Sequence, residues 1–211
     1  MKESVVLVHG LWMTGAEMAL LRRRLSRCGY RTYQFRYRSL RRDLSANAHR
    51  LHRFLATVPG DTVHLVGHSL GGLVIRKLFQ QFPQQRPGRI VTLGTPHNAS
   101  AVARYLRRFR AGRVLLGRSA QALCSELTPW EGVRELGVIA GTLALGMGRF
   151  LVRLPSNDGV VAVEETSLEN ATDRIDLPVS HMGLIVAASV AAETCHFLQH
   201  GRFSRNQSRI S

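Results

Sequence analysis

Cysteine is scarce in this chain of 211 residues: Cys28, Cys124 and Cys195 form an odd, scattered set. Lacking CxxC spacing, they predict neither a zinc site nor a disulfide framework. Long apolar runs are missing too. The charge-free stretches Leu136–Gly148 and Val179–Ala192 fall short of the ~20 residues a membrane-spanning helix needs, and glycine, threonine or histidine interrupts both. No basic-then-apolar leader precedes Ser4–Val8, which itself reads as a strand, so the expectation is an intracellular, cytoplasmic protein. Acids are few, with Asp+Glu 14 against Lys+Arg 29 and a net charge of +15. Lysine is nearly absent, since 27 of those 29 bases are arginine, a bias that arginine-rich codon usage yields as readily as selection for a partner. Neither a helix-turn-helix nor a zinc-finger or RNA-binding signature accompanies the charge, so nucleic acid is not an expected partner. Internal repeats and low-complexity tracts are lacking as well.

What is present is an ordinary globular mix, 45% apolar and 20% charged. A chain of this length buries roughly 70% of its unfolded surface in one domain. Val5–Val8 is a β-branched run that ends at His9-Gly10. Met18, Leu21 and Leu25 are spaced for a helix over 15–27 that stops at Cys28-Gly29. Tyr30–Tyr37 alternates as a strand, and Asp43 or Ser45 can cap a helix carrying Leu44, Ala48, Leu51 and Leu55. Thr62–Val66 and Arg89–Leu93 read as buried strands on either side of a helix marked by Leu73, Val74, Leu78 and Phe82. Strands are also expected over 135–142 and 175–179, and a last helix over 182–198. Strict alternation of strand and helix predicts an α/β fold, a mostly parallel sheet of about six strands with helices on both faces.

Residues 98–132 break that rhythm. Val102, Tyr105, Leu106 and Phe109 recur at helical spacing among Arg104, Arg107, Arg108 and Arg110, which predicts a basic amphipathic helix over 102–110. Residues 98–125 carry six arginines and no acid, whereas 155–176 carry six acids and one arginine. Two readings of the basic helix stand: a cap over a pocket, or a peripheral contact with an anionic membrane. The expected organisation is a single domain over 1–200, with 98–132 inserted as a small cap and 201–211 as a flexible basic tail.

The chemistry centres on Gly67-His68-Ser69-Leu70-Gly71, a G-x-S-x-G motif between a strand and a helix. That context holds a serine hydroxyl clear of the sheet on a sharp bend. Serine needs a base, and the base an orienting carboxylate. Asp158 in Asn157-Asp158-Gly159 and His181 in Ser180-His181-Met182-Gly183 follow in the order Ser, Asp, His, with Glu164 and Glu165 as rival acids. An oxyanion needs two N–H donors, for which Leu70 and Leu11 are the candidates. His9, Gly10, Trp12, His68 and His97 are expected to shape the pocket, together with Trp130 and residues 143–154.

These residues resemble the α/β-hydrolase superfamily, and more narrowly bacterial serine lipases and esterases. Val-Leu-Val-His-Gly (6–10), Gly-His-Ser-Leu-Gly-Gly (67–72), Gly-Thr-Pro-His (94–97), Asn-Asp-Gly-Val-Val (157–161) and Ser180-His181 carry the resemblance. It implies a reduced α/β-hydrolase fold and hydrolysis of a small-molecule or lipid acyl ester through an acyl-serine, without cofactor. Thioester hydrolysis or acyl transfer would use the same parts. No metal is expected, because Met182-Gly183 stands where some relatives carry a calcium-binding aspartate.

Overall fold

The computed structural model describes residues 3–125, 127–145 and 155–204. Six strands form one sheet: β1 (Ser4–Val8), β2 (Arg31–Phe35), β3 (Val63–His68), β4 (Ile90–Leu93), β5 (Leu136–Gly141) and β6 (Asp173–Leu177). Their order is β2-β1-β3-β4-β5-β6, and every pairing is parallel. This is the six-stranded parallel sheet that the alternation of strands and helices predicts. The chain runs outward from β1 to β2 and then reverses across β1 to β3. Such a reversal opens a crevice at the carboxyl ends of the two central strands, where ligands of open α/β sheets are bound.

A parallel sheet must be covered on both faces, so its central strands read as continuous apolar runs. The five residues of β1 are fully buried and alternate between two cores. Val6 and Val8 face one layer with α2 (Leu44–Thr57) and α3 (Leu70–Gln81), whereas Val5 and Leu7 face the other with α1 (Ala19–Arg27). Asp43 is the cap of α2, its side chain accepting from the Ala46 amide at 2.7 Å.

Three short helices, α4 (Ala101–Arg107), α5 (Arg110–Leu116) and α6 (Ala120–Cys124), lie between β4 and β5. The amphipathic stripe expected over 102–110 is therefore split. The amides of Arg108 and Phe109 turn back to the carbonyls of Tyr105 and Leu106, and Phe109 becomes the extended residue that starts α5. This bend turns Leu116 into the core and leaves Phe109 exposed. The last helix is split as well, into α7 (Gly183–Val186) and α8 (Ala188–His200). Ala187 between them is extended, and the Arg24 guanidinium donates to the Val186 carbonyl that the break frees.

Two further expectations are corrected. Cys28 at the end of α1 and Cys195 in α8 form a disulfide with a Cα–Cα distance of 6.4 Å, and Cys124 is left free. The two half-cystines are 167 residues apart, so spacing along the chain gave no sign of the pair. Disulfides persist in oxidising compartments, a setting other than the intracellular one expected from the sequence. Among the described residues no helix is long and apolar enough to cross a membrane. The presumed flexible tail is docked over its first four residues. Phe203 is buried against Phe197, its amide bonds to Asp173, and Ser204 bonds to Glu193. Residues 205–211 of that tail lie outside the described residues.

The chain-entropy account of cross-linking gives about 5 kcal/mol for a loop this long, and measured values cluster nearer about 2–4. Replacing Cys28 and Cys195 with serine is expected to lower unfolding free energy by about 2–4 kcal/mol in urea titrations. Thiol titration of the oxidised, denatured chain should find the Cys124 thiol alone. Three titrating thiols would show that the bond does not form.

Candidate active site

Ser69 sits between the last residue of β3 and the first of α3 with φ 53° and ψ −123°. A positive φ at a residue bearing a Cβ costs about 1–3 kcal/mol and persists only where neighbours enforce it. The neighbours are explicit. The Ser69 amide donates to the Leu93 carbonyl at 2.9 Å, and the Thr95 hydroxyl donates to the Ser69 carbonyl at 2.9 Å. Helix α3 can start this close to β1 only because position 71 lacks a side chain. A Cβ on Gly71 would lie 2.2 Å from the Val8 carbonyl oxygen.

Asp158 and His181 come from loops after β5 and β6. Asn157-Asp158-Gly159 forms a side-chain-supported turn, with Asn157 Oδ1 accepting from the Gly159 amide at 2.8 Å. Asp158 Oδ1 accepts from the amides of Val160 and Val161 at 2.9 and 2.8 Å. That leaves Oδ2 directed at His181 Nδ1, 2.6 Å away, while the His181 amide donates to the Asp158 carbonyl at 2.8 Å. Both side chains are buried, where a charge-assisted hydrogen bond is short and strong. The imidazole is fixed on its other side by His68, whose ring centroid lies 4.7 Å away and whose Nε2 bonds to the His181 carbonyl.

Ser69 and His181 line one cavity of about 270 Å³. Its apolar walls come largely from the cap, through Val102, Leu106, Leu116 and Leu123, and from Val160 and Val161 beside the acid. Gly10, Trp12 and His68, candidates for the pocket, also line it, and so do Leu11, the candidate oxyanion donor, and Leu145. Leu70 adjoins the site through its main chain, while its side chain is core. Trp130, thought to border the pocket, instead packs against Phe79 in the core. Positions 146–154, assigned to the same border, lie outside the described residues.

His9 and His97 do not line the cavity. His9 is fully buried beneath the loop, stacked on Tyr37 at 4.3 Å, bonded to the Gly10 carbonyl through Nδ1 and accepting the Tyr37 amide at Nε2. His97 is enclosed with Thr92 and Arg76. The Arg76 guanidinium donates to the carbonyls of His97 and Thr128, and burial pushes it down to about 10. Both histidines answer to buried neighbours that a linear pattern does not display.

Burial also drives the His68 and His97 imidazoles well below the ordinary value of 6.5. Their folded forms stay neutral while unfolded chains take up protons. Stability is therefore full above about 6.5 and is lost as pH falls, by up to about 1.4 kcal/mol per pH unit for each histidine. Thermal melts from about pH 7.5 down to about 5.5 should show a falling Tm, and a flat Tm rejects the account.

Three residues escaped the sequence reading. Thr95 and Gly94 lie in Gly94-Thr95-Pro96-His97, a segment whose sequence pattern points to the histidine. A Cβ on Gly94, at φ +55°, would lie 3.0 Å from Asp158 Oδ2 and 3.2 Å from His181 Nδ1. The turn after β4 thus closes the space against the acid–imidazole pair. Glu165, weighed only as a rival acid, is a structural tie: its carboxylate accepts from the Ala101 amide at 2.6 Å and the Ala162 amide at 3.1 Å. It joins the first turn of the cap to the loop that carries Asp158.

With this geometry in place, the family profile described as "Alpha/beta hydrolase family" matches residues 5–186. The chain belongs to the alpha/beta hydrolase family. Solved structures share the fold at low identity. The mature-form lipase BlEst2 of Bacillus licheniformis superposes with a TM-score of 0.73 at 20% identity, covering 94% of this chain and 91% of that one. A metagenomic carboxyl esterase, MGS0156, gives 0.67 at 18%, covering 85% and 64%. A hydrolase from Pseudomonas aeruginosa PA01 gives 0.64 at 19%, covering 87% and 84%. No curated protein matches the chain in sequence. Within an alpha/beta hydrolase, a serine at the end of a central strand, an acid and a histidine after later strands stand in the chain order that acyl-transfer chemistry uses on this fold.

Proposed function

We propose that this alpha/beta hydrolase is a serine esterase that cleaves carboxylic acyl esters with an apolar acyl group. The observation that carries the reading is one cavity holding a strained serine and an imidazole bonded at 2.6 Å to a buried carboxylate. In the proposed cycle the Ser69 hydroxyl attacks the ester carbonyl while His181 Nε2 takes its proton. Asp158 holds Nδ1–H, so that the nitrogen facing the cavity is the acceptor, and it stabilises the imidazolium that forms. The amides of Leu70 and Leu11 receive the oxyanion. The tetrahedral adduct collapses, the leaving alcohol takes the proton from His181, and water repeats the sequence on the acyl-serine. The apolar walls favour an uncharged acyl chain, since none of the described residues lining the cavity is Lys, Arg, Asp or Glu.

Labelling with a fluorophosphonate followed by peptide mass mapping tests this reading without knowledge of the substrate. A stoichiometric adduct on Ser69 is the expected result. An unlabelled protein, or an adduct on another serine, removes the proposal.

A further inference from the structure

We infer that the cap face around the cavity mouth docks the enzyme on the surface of an anionic lipid bilayer. Two observations meet there. The first is charge: Arg104, Arg107, Arg108, Arg110, Arg113 and Arg118 are all exposed, and among the described residues none forms a close ion pair, with only Arg104 near enough to act on a carboxylate, that of Glu165. The loop carrying exposed Arg38, Arg41 and Arg42 abuts this face, because the amide of Arg118 donates to the Leu40 carbonyl and the Ser119 hydroxyl to that of Ser39. Asp43 is also exposed there, but its carboxylate caps α2.

The second observation is apolar exposure within the same segment and at Trp12 beside it. Val114 is 78% exposed, Trp12 56%, Phe109 51% and Leu115 50%. Trp12 lines the cavity, and its indole N–H donates to the Leu115 carbonyl at 2.8 Å, so the greasy tips of α5 stand beside the mouth. Aromatic and aliphatic tips set among arginines suit a headgroup layer, where the tips enter the acyl boundary and the guanidiniums meet phosphates. A polyanion such as DNA has no use for Val114 and Leu115. A second copy of the chain would bring arginines against arginines. The esterase reading supplies a purpose for docking, delivery of substrate to the mouth, but docking stands on this face alone.

Sedimentation with vesicles of phosphatidylcholine alone, or mixed with phosphatidylglycerol, tests the inference. The wild-type chain should pellet with the mixed vesicles at low salt, stay in solution with pure phosphatidylcholine, and be released by high salt. Joint replacement Arg107→Glu, Arg108→Glu, Arg110→Glu and Arg113→Glu should weaken binding at least about a hundredfold, with hydrolysis of a water-soluble short-chain ester unchanged. If circular dichroism finds that variant unfolded, glutamine at the same four positions must produce the loss instead. Val114→Asp should weaken vesicle binding as well. Ser69→Ala should bind vesicles like the wild type, which separates failure of docking from failure of the esterase reading. Equal binding to both vesicle types, wild-type binding by the arginine variant, or equally tight binding to duplex DNA that Val114→Asp leaves untouched would each overturn the inference.

Discussion

Ser69→Ala is expected to lower kcat for p-nitrophenyl acyl esters by about 10⁴–10⁶-fold, leaving a residue of catalysis from the oxyanion donors and the cavity. The fold should survive. Alanine retains the Cβ that serine already carries at φ 53°, so the backbone strain is equal, and the contacts that brace the bend run through the main chain of residue 69. Circular dichroism and Tm should match the wild type. Substrate affinity should change little, because the apolar walls remain. Activity within about tenfold of wild type would mean that the hydroxyl does not attack, and the proposed acyl-serine would be lost.

Asp158→Asn probes the opposite end of the proposed triad. The two oxygens of Asp158 have different tasks: Oδ1 takes two backbone amides and Oδ2 takes His181 Nδ1. Asparagine has one acceptor and one donor group. Its oxygen must replace Oδ1, since an amide NH₂ there would oppose the N–H groups of Val160 and Val161. The NH₂ group then faces Nδ1, which can bond to it only as an acceptor. The imidazole proton is forced to Nε2, and the nitrogen required as base is occupied. Loss of about 10⁴-fold in kcat is expected with little change in KM or in the loop, in line with the tautomer argument. A decrease below about tenfold would show that Asp158 does not set the tautomer.

Much of this fold is visible in the chain itself. The parallel sheet follows from β-branched runs separated by helical segments, as β1, β3 and β4 illustrate. The bend at Ser69 announces itself because tight backbone crossings leave glycine behind, and Gly71 against Val8 is the physical cause. Asp158 is marked by turn chemistry, Asn before and Gly after. What stays hidden depends on partners distant in sequence. Cys28 and Cys195 meet through the packing of α1 on α8, and no local pattern brings them together. His9 and His97 look like pocket residues by position at strand ends, yet Tyr37 and Arg76 draw them inward. Phe109 continues a helical stripe by spacing alone, whereas the chain bends to send Leu116 into the core.

Glu165 and the start of α4 have a consequence for diversification. The cap leaves the sheet after β4 and rejoins it before the adjacent β5, and its base is stitched where the Ser100 amide meets the Leu123 carbonyl at 2.7 Å. Ser69, Asp158 and His181 all lie outside that excursion. A replacement segment of other length or polarity would have to offer the Glu165 carboxylate an amide as well as meet these two anchor points, because the same carboxylate holds the Ala162 amide of the loop that carries Asp158. A change in the cavity wall on this frame is thereby felt where Asp158 is held.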